Sequence, residues 1–269
     1  MTQSPSKPLV SIITPCLNGS RFLAHAVESV QAQTCADWEL LIVDDGSDDG
    51  SDTQAKQLAV RDPRIVPLRT RGRVGAGAAR NLGLSAARGR YVAFLDCDDW
   101  WAPTKLAEQI DVMRRTTAGF CVSPYWVCDA SGRPHRVQHV LEPLTLRRYL
   151  MKRCVIGCLT VVVDVDAIGP FEFRPHLRKA EDFVLWVELL RRCDGAGRRV
   201  ALTLTPLAYY RVHEAGQSRS KLQHARAHWH AYRHELGLSL PSAIFYFGTY
   251  VVNGLLDRLP VSASLRPWS

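Results

Sequence analysis

Apolar runs and amphipathic stretches alternate along the first hundred residues, which predicts strands that alternate with helices. The apolar runs occupy residues 10–13, 38–43, 65–68 and 91–95. Between the first two runs, apolar side chains recur at the spacing of a helix with one buried face, namely Phe22, Leu23, Ala26, Val27 and Val30. The order βαβαβαβ predicts a largely parallel sheet with its strand ends on one side.

Two of these runs end in clustered carboxylates. The second is followed by Asp44 and Asp45, and the fourth by Asp96, Asp98 and Asp99. Parallel strands bind ligands outside their carboxyl ends, so oxygen ligands there suit a hard divalent cation whose shell phosphate oxygens complete. The alternative is that these residues only cap the following helices, which fits one aspartate better than three in four positions.

A Gly-x-Gly sequence begins at Gly75, after the third run. The dinucleotide fingerprint expects a third glycine where Arg80 stands, and it expects the first strand of the fold, so we reject that cofactor. We predict instead a helix start rich in glycine and alanine that packs closely under the sheet. Arg71, Arg73 and Arg80 are then available to phosphates or a base carbonyl.

Beyond residue 101 the pattern predicts two strands and three helices, at residues 120–128 and 158–165 and at residues 104–115, 145–153 and 181–190. The last helix carries Glu181 and Asp182 in its first turn. Acidic residues at that position favour the helix dipole, so a capping role is an alternative to a functional one.

Composition excludes several classes of protein. With 269 residues and 46% apolar content, the chain buries a full core and is not disordered. Its eight cysteines form no C-x-x-C pair, which predicts reduced thiols packed as small hydrophobes. The first eight residues hold no apolar signal segment, so we expect residence in the cytoplasm.

The net charge of +8 is concentrated near the C-terminus, because residues from 184 onward contribute +6. Such charge suits nucleic acid, an anionic membrane or a phosphorylated substrate, and no nucleic-acid motif accompanies it. The basic stretch contains four histidines at helical spacing, and we favour a solvated helix over a metal site for His224, His228, His230 and His234.

Residues 236–256 carry no charge. We predict that they bind an anionic membrane surface, ahead of packing against the catalytic domain or a partner, and well ahead of spanning the bilayer.

Six stretches together resemble a known family: residues 10–18, 41–51, 75–83 and 91–101, the run Glu181-Asp182-x-x-Leu185-Trp186, and Tyr210-Arg211-x-His213. In order and spacing they are similar to the motifs of the inverting GT-A glycosyltransferases of family two, which include many bacterial polysaccharide and O-antigen enzymes. The resemblance implies an α/β, Rossmann-like GT-A fold with a mostly parallel central sheet flanked by helices. A basic, partly apolar helical extension would follow it.

The resemblance also implies a nucleotide-sugar donor, usually UDP-linked, bound with Mn²⁺ or Mg²⁺. The residues that it implies for the nucleotide sugar are Thr14, Pro15, Asn18, Asp44, Asp45, Gly75, Arg80, Asn81 and Asp96. Those implied for the metal are Asp96, Asp98, Asp99 and His213, the last for metal or phosphate. Asp182 corresponds to the general base.

The expected organisation is a flexible N-terminus at residues 1–8, a nucleotide-sugar half at 9–118, an acceptor and catalytic-base half at 119–218, and a tail at 219–269. The expected activity is metal-dependent inverting transfer to a glycan or polyprenyl-linked acceptor in polysaccharide biosynthesis, by an enzyme peripheral on the inner face of the cell membrane. The alternatives are a nucleotidyltransferase, which would need a basic glycine-rich signature after the first strand, and a nucleotide-sugar-binding protein without catalysis.

Overall fold

A computed structural model describes residues 7–140, 144–151, 155–213 and 221–256 of the chain. Most of the predicted N-terminal segment, Cys154 and the two ends of the predicted tail lie outside these residues. The first part of the chain alternates strands and helices as predicted, in the order β1 (Val10–Cys16), α1 (Ser20–Gln31), β2 (Trp38–Asp44), α2 (Ser51–Arg61), β3 (Ile65–Arg69), α3 (Ala76–Ala86) and β4 (Tyr91–Phe94).

The second part has shorter elements. They are β5 (Trp100–Trp101), α4 (Lys105–Thr116), β6 (Phe120–Val122), β7 (Tyr125–Cys128), β8 (Pro134–Gln138), α5 (Leu146–Leu150), β9 (Val161–Asp164), α6 (Val165–Ile168), α7 (Glu181–Gly195), β10 (Val200–Leu202), β11 (Ala208–Arg211), α8 (Lys221–His230) and α9 (Leu240–Leu256). A 3₁₀ turn, Cys158–Thr160, precedes β9, and a π-helical turn, Ala231–Glu235, follows α8.

The larger sheet has seven strands in the order β10-β6-β9-β4-β1-β2-β3. Strands β1 to β4 are mutually parallel, and β9 is antiparallel to both of its neighbours. A smaller sheet has the order β5-β11-β7-β8 and lies beyond the carboxyl end of β4, where the chain leaves the aspartate cluster. The largely parallel sheet is therefore confirmed.

The buried strand residues divide between two cores, one on each face of the larger sheet. Ile12 and Ile42 lie in one core, and their neighbours Ile13 and Val43 lie in the other. Successive side chains of a strand point to opposite faces, so continuous apolar runs belong to a sheet that is covered on both sides.

Two strand predictions are wrong in detail. Residues 120–128 form two strands of different sheets, because the chain breaks at Ser123 and Pro124 and proline has no N–H to donate to a ladder. In residues 158–165 only Val161–Asp164 is a strand. The short strands β5, β8, β10 and β11 were not predicted.

The tail helices pack against α5 and α7. The Tyr232 hydroxyl donates to the Leu150 carbonyl at 2.8 Å, and the Asn253 amide donates to the Met151 carbonyl at 2.8 Å. The buried His228 ring contacts the rings of Phe183 and Tyr250. A fully solvated histidine helix is therefore wrong for His228.

One face of α9 stays exposed. Ala243 is buried, whereas an apolar stripe of Leu240, Ile244, Phe245, Val251 and Val252 faces outward with two fifths or more of each residue accessible. No helix in the described ranges is long and apolar enough to cross a membrane.

Lys105, the first residue of α4, is fully buried. Its ammonium donates to the Gln109 side chain at 2.5 Å and lies 4.3 Å from the Trp101 ring centroid. Burial lowers the pKa of Lys105 to about 7, because the charged form loses its hydration.

This shift predicts a pH dependence of stability. The unfolded chain holds the Lys105 proton up to its ordinary pKa, so it binds more protons than the folded chain above pH 7, and stability rises with pH there. We expect the free energy of unfolding, measured with urea, to rise by roughly 1 to 2 kcal/mol between pH 7 and 8.5. Lys105→Met should lose this rise, and an equal rise in that variant would contradict the assignment.

Candidate functional site

The turn after β2 is tied to the loop before α3. Asp45 is buried, and its carboxylate accepts hydrogen bonds from the Val74 and Gly75 N–H groups, each at 2.8 Å. Gly75 has a φ of +94°, a left-handed conformation that suits glycine. Neighbouring Asp44 is also buried and accepts from the Gly46 and Ser47 N–H groups. Both aspartates thus shape the rim of the site.

The loop after β1 is tied to the same turn. Asn18 has a φ of 54°, its N–H donates to the Ser47 hydroxyl at 2.9 Å, and its side-chain oxygen accepts from the Asp48 N–H at 3.0 Å. Pro15 is buried inside β1, and the buried Thr14 hydroxyl has no hydrogen-bond partner among the described residues. The predicted nucleotide residues of β1 and β2 therefore lie together.

An open cavity of about 310 Å³ lies beside Asp45. Its lining combines a carboxylate, small residues and three cations, and comprises Leu17, Asp45, Arg73, Gly75, Ala76, Arg178 and Lys179. Arg178 was not predicted to line the site, although the sequence shows the basic pair Arg178-Lys179 shortly before Glu181. The cations belong to two loops that face each other across the cavity, which suits an anionic ligand.

The three aspartates after β4 have three different environments. Asp96 and Asp98 have side chains that are 32% and 30% exposed, whereas Asp99 is buried. Asp98 lies 2.7 Å from the His213 ring nitrogen, and one Asp99 oxygen accepts from the Arg211 N–H at 2.8 Å. Asp99 is therefore the least accessible of the three as a ligand.

The same environments shift the acidity of these groups. Burial and the Asp96 charge raise the pKa of Asp98, and His213 opposes this. Burial, with the charges of Asp98 and Asp96, raises the pKa of Asp99 well above its ordinary value. A cation placed among them would relieve the repulsion between these carboxylates.

The described residues do not form a ready-made metal site. Within the described part of the chain, no three His, Cys, Asp or Glu side chains converge as a metal site. Asp96 and Asp98 are nevertheless partly exposed, and Asp98 lies beside His213; carboxylate oxygens are the ligands that hard divalent cations prefer.

Arg80 connects the two ends of the site. Its guanidinium is buried, lies 2.6 Å from an Asp96 oxygen and 3.5 Å from a Glu181 oxygen, and stacks 5.3 Å from the Phe173 ring centroid. The glycine face of α3 lets this helix approach β1, because a Cβ on Gly83 would meet Ile13 at 2.5 Å. The close packing predicted for this helix is thereby confirmed.

Asn81 positions the loop that leads to α7. Its side-chain amide donates to the Phe173 carbonyl and its oxygen accepts from the Phe173 N–H, both at 2.8 Å. These two bonds engage its amide group, so the contacts of Asn81 in this structure are with the protein chain.

Asp182 lies in the first turn of α7. Ala180 precedes the helix with a φ of 61°, and no side chain caps it. An Asp182 oxygen accepts only from the adjacent Phe183 N–H at 2.7 Å among the bonds described. Burial and the Asp182 charge raise the pKa of Glu181, which Arg80 opposes. Two carboxylates thus stand at the start of α7, and Arg80 links one of them, Glu181, to Asp96.

Known proteins are similar to this chain along most of its length. The chain is 36% identical over 255 residues to a Bacillus subtilis protein named as the teichuronic acid biosynthesis glycosyltransferase TuaG, covering 94% of this chain and 98% of the relative. It is 34% identical to Escherichia coli WfgD, a UDP-Glc:α-D-GlcNAc-diphosphoundecaprenol β-1,3-glucosyltransferase, covering 92% and 94%.

Solved structures share the fold. S. aureus TarS in complex with UDP-GlcNAc superposes with a TM-score of 0.68 at 17% identity, covering 94% of this chain and 76% of that one. The mannosyltransferase PcManGT from Pyrobaculum calidifontis, in complex with GDP-Man and Mn²⁺, gives 0.61 at 16%, covering 97% and 78%. The α/β GT-A fold is confirmed.

The sequence model of the family described as Glycosyl transferase family 2 matches residues 11–168. That match spans β1 to α6 and includes the Asp44-Asp45 turn, Arg80 and the aspartates after β4. The similarity therefore favours glycosyl transfer over nucleotidyl transfer or binding alone. The chain is a bacterial-type polysaccharide glycosyltransferase and belongs to glycosyl transferase family 2.

Proposed function

We propose that this enzyme transfers a sugar from a UDP-sugar to a hydroxyl of a polyprenyl-linked glycan, with inversion at the anomeric carbon. The observation that carries the proposal is the bridge from Asp96 through Arg80 to Glu181. It brings the aspartate turn after β4 close to the start of α7, which carries Asp182.

The donor would lie along the carboxyl ends of β1, β2 and β4. The cavity beside Asp45 offers room for a nucleotide, and Arg73, Arg178 and Lys179 offer positive charge to its phosphates. Thr14, with its unpartnered hydroxyl among the described residues, is a further polar contact for the nucleotide. UDP-linked donors named for WfgD and bound by TarS support uridine as the nucleoside.

Asp96, Asp98 and His213 would hold Mn²⁺ or Mg²⁺ beside the donor diphosphate. The buried Asp99 would support the turn that carries Asp96 and Asp98. When bound, the cation would neutralise the charge that collects on the leaving UDP. Arg80, held against Asp96, keeps that carboxylate oriented toward the diphosphate end of the site.

Asp182 would act as the general base. A sugar hydroxyl is a weak nucleophile, so a carboxylate within hydrogen-bond reach takes its proton while the oxygen attacks the anomeric carbon. The new glycosidic bond forms as the bond to UDP breaks. A single displacement with one base inverts the configuration of the anomeric carbon.

The acceptor would be presented at a membrane. WfgD is named for an acceptor linked to diphosphoundecaprenol, which resides in a bilayer. The exposed apolar stripe of α9 and the basic segment before it suit peripheral binding to an anionic leaflet on the cytoplasmic side. The buried face of α9 packs on the domain, so the helix would tie the enzyme to the surface that holds its substrate.

Asp182→Asn tests the base. The amide cannot accept the proton, so transfer should fall by a factor of about 10² to 10⁴, while the thermal stabilisation by UDP and Mn²⁺ is retained. Asp194→Asn, an exposed change at the far end of the same helix, is the matched control and should transfer normally. Transfer by Asp182→Asn at the wild-type rate would contradict the assignment.

Substitutions in the apolar stripe of α9 test membrane binding. Replacing Ile244, Phe245 and Val252 with serine should reduce co-sedimentation with anionic phospholipid vesicles at least tenfold, because each buried apolar side chain contributes about 1.5 to 3 kcal/mol. The control replaces the exposed Val60 and Leu204 with serine and should bind as the wild type does. Equal vesicle binding by both variants would contradict membrane binding by the stripe.

A further inference from the structure

Two cysteines meet at the carboxyl ends of adjacent parallel strands, Cys16 as the last residue of β1 and Cys97 in the turn after β4. The ladder between β1 and β4 pairs Val10 with Tyr91 and Ile13 with Phe94, and the Leu95 N–H still donates to the Ile13 carbonyl at 3.1 Å. The same offset places Cys16 level with Cys97. Neighbouring strands lie about 4.8 Å apart, which is within the Cα separation of about 4.4 to 6.8 Å that a disulfide requires.

The side chains turn toward each other. A Cβ built on Gly19 would lie 3.0 Å from the Cys16 sulfur and 2.5 Å from the Cys97 sulfur, so both sulfurs border the same small space. The Cys97 thiol is hydrogen-bonded to Cys16, and both cysteines are free. Glycine at position 19 leaves that space open for the two sulfurs.

The two thiols differ in access. Cys16 is buried, whereas Cys97 is partly exposed and stands between Asp96 and Asp98. The two sulfurs are in contact, so once one of them is oxidised to a sulfenic acid the other is placed to resolve it. Cys121, Cys128, Cys158 and Cys193 are all buried.

We propose that Cys16 and Cys97 form a site of reversible oxidation that takes a two-electron oxidant such as hydrogen peroxide. One of the two sulfurs attacks a peroxide oxygen, the O–O bond breaks, and a sulfenic acid and one water form. The other sulfur then attacks the oxidised sulfur, the S–O bond breaks, and a second water leaves. The two thiols lose two electrons and two protons in total, and a thiol reductant reverses the reaction.

The cross-link would act on the donor end of the site. A disulfide would bring the sulfurs to about 2.05 Å and tie the turn that carries Asp96 and Asp98 to the end of β1, which would restrain the movement of these carboxylates. This consequence rests on the proposed function, because those carboxylates are the proposed contacts of the metal and diphosphate. Oxidation would then weaken donor binding without touching Asp182.

The test maps the cross-link and measures binding separately. The purified full chain is treated with hydrogen peroxide, open thiols are alkylated, and linked peptides are identified by mass spectrometry without reduction. We expect a Cys16–Cys97 peptide, a loss of at least tenfold in UDP affinity with Mn²⁺, and recovery of both thiols and affinity with dithiothreitol. Cys16→Ala should not cross-link, whereas Cys35→Ala, at a distant loop, should cross-link as the wild type does.

Each outcome has one meaning. If Cys16 and Cys97 remain open to alkylation after peroxide treatment, the oxidation site is wrong. If the cross-linked protein binds UDP as tightly as the reduced protein does, the effect on the donor end is wrong. If the reduced protein fails to bind UDP while the cross-link is mapped, the oxidation site stands and the proposed function fails.

Discussion

The site depends on the burial of one guanidinium between two carboxylates. Arg80 reaches Asp96 on one side and Glu181 on the other, and its plane lies over the Phe173 ring. A buried charge is costly unless it is paired, so Arg80, Asp96 and Glu181 stabilise one another only in this arrangement. The strand end after β4 and the start of α7, which are far apart in sequence, are thereby held in one place. Asn81 adds a second tie, because it fixes the backbone at Phe173.

The first half of the fold could be predicted because its information is local. Each strand from β1 to β4 is mostly apolar and is followed by turn residues, so the apolar pattern and the turn residues both mark where the strand ends. The later strands are two to five residues long and owe their existence to partners. β5 and β11 pair with each other beside the aspartate turn. Trp100–Trp101 is too short to show the alternation of apolar and polar residues that would predict a strand. Likewise, residues 120–128 look like a single apolar run, although the chain passes from one sheet to the other at Ser123 and Pro124.

The sequence predicts which residue types gather at the candidate site, but it does not predict the surroundings of each side chain. Three aspartates in four positions look equivalent in sequence, yet one pairs with Arg80, one with His213, and one is buried against the Arg211 backbone. Their orientations come from β11 and α3, which no local pattern specifies. The sequence did not predict the contact of Glu181 with Arg80, the place of Arg178 in the cavity or the meeting of Cys16 with Cys97, since each depends on a contact between distant segments.

The central claim is single-displacement transfer in which Asp182 removes the acceptor proton across from the diphosphate end. The most direct measurement is the anomeric configuration of the product, read by proton NMR after transfer from α-linked UDP-glucose to a short prenyl-diphosphate GlcNAc acceptor with Mn²⁺. The account predicts a β-linked product with the large anomeric coupling of an axial proton pair. An α-linked product would mean retention, and it would contradict a single displacement assisted by one base.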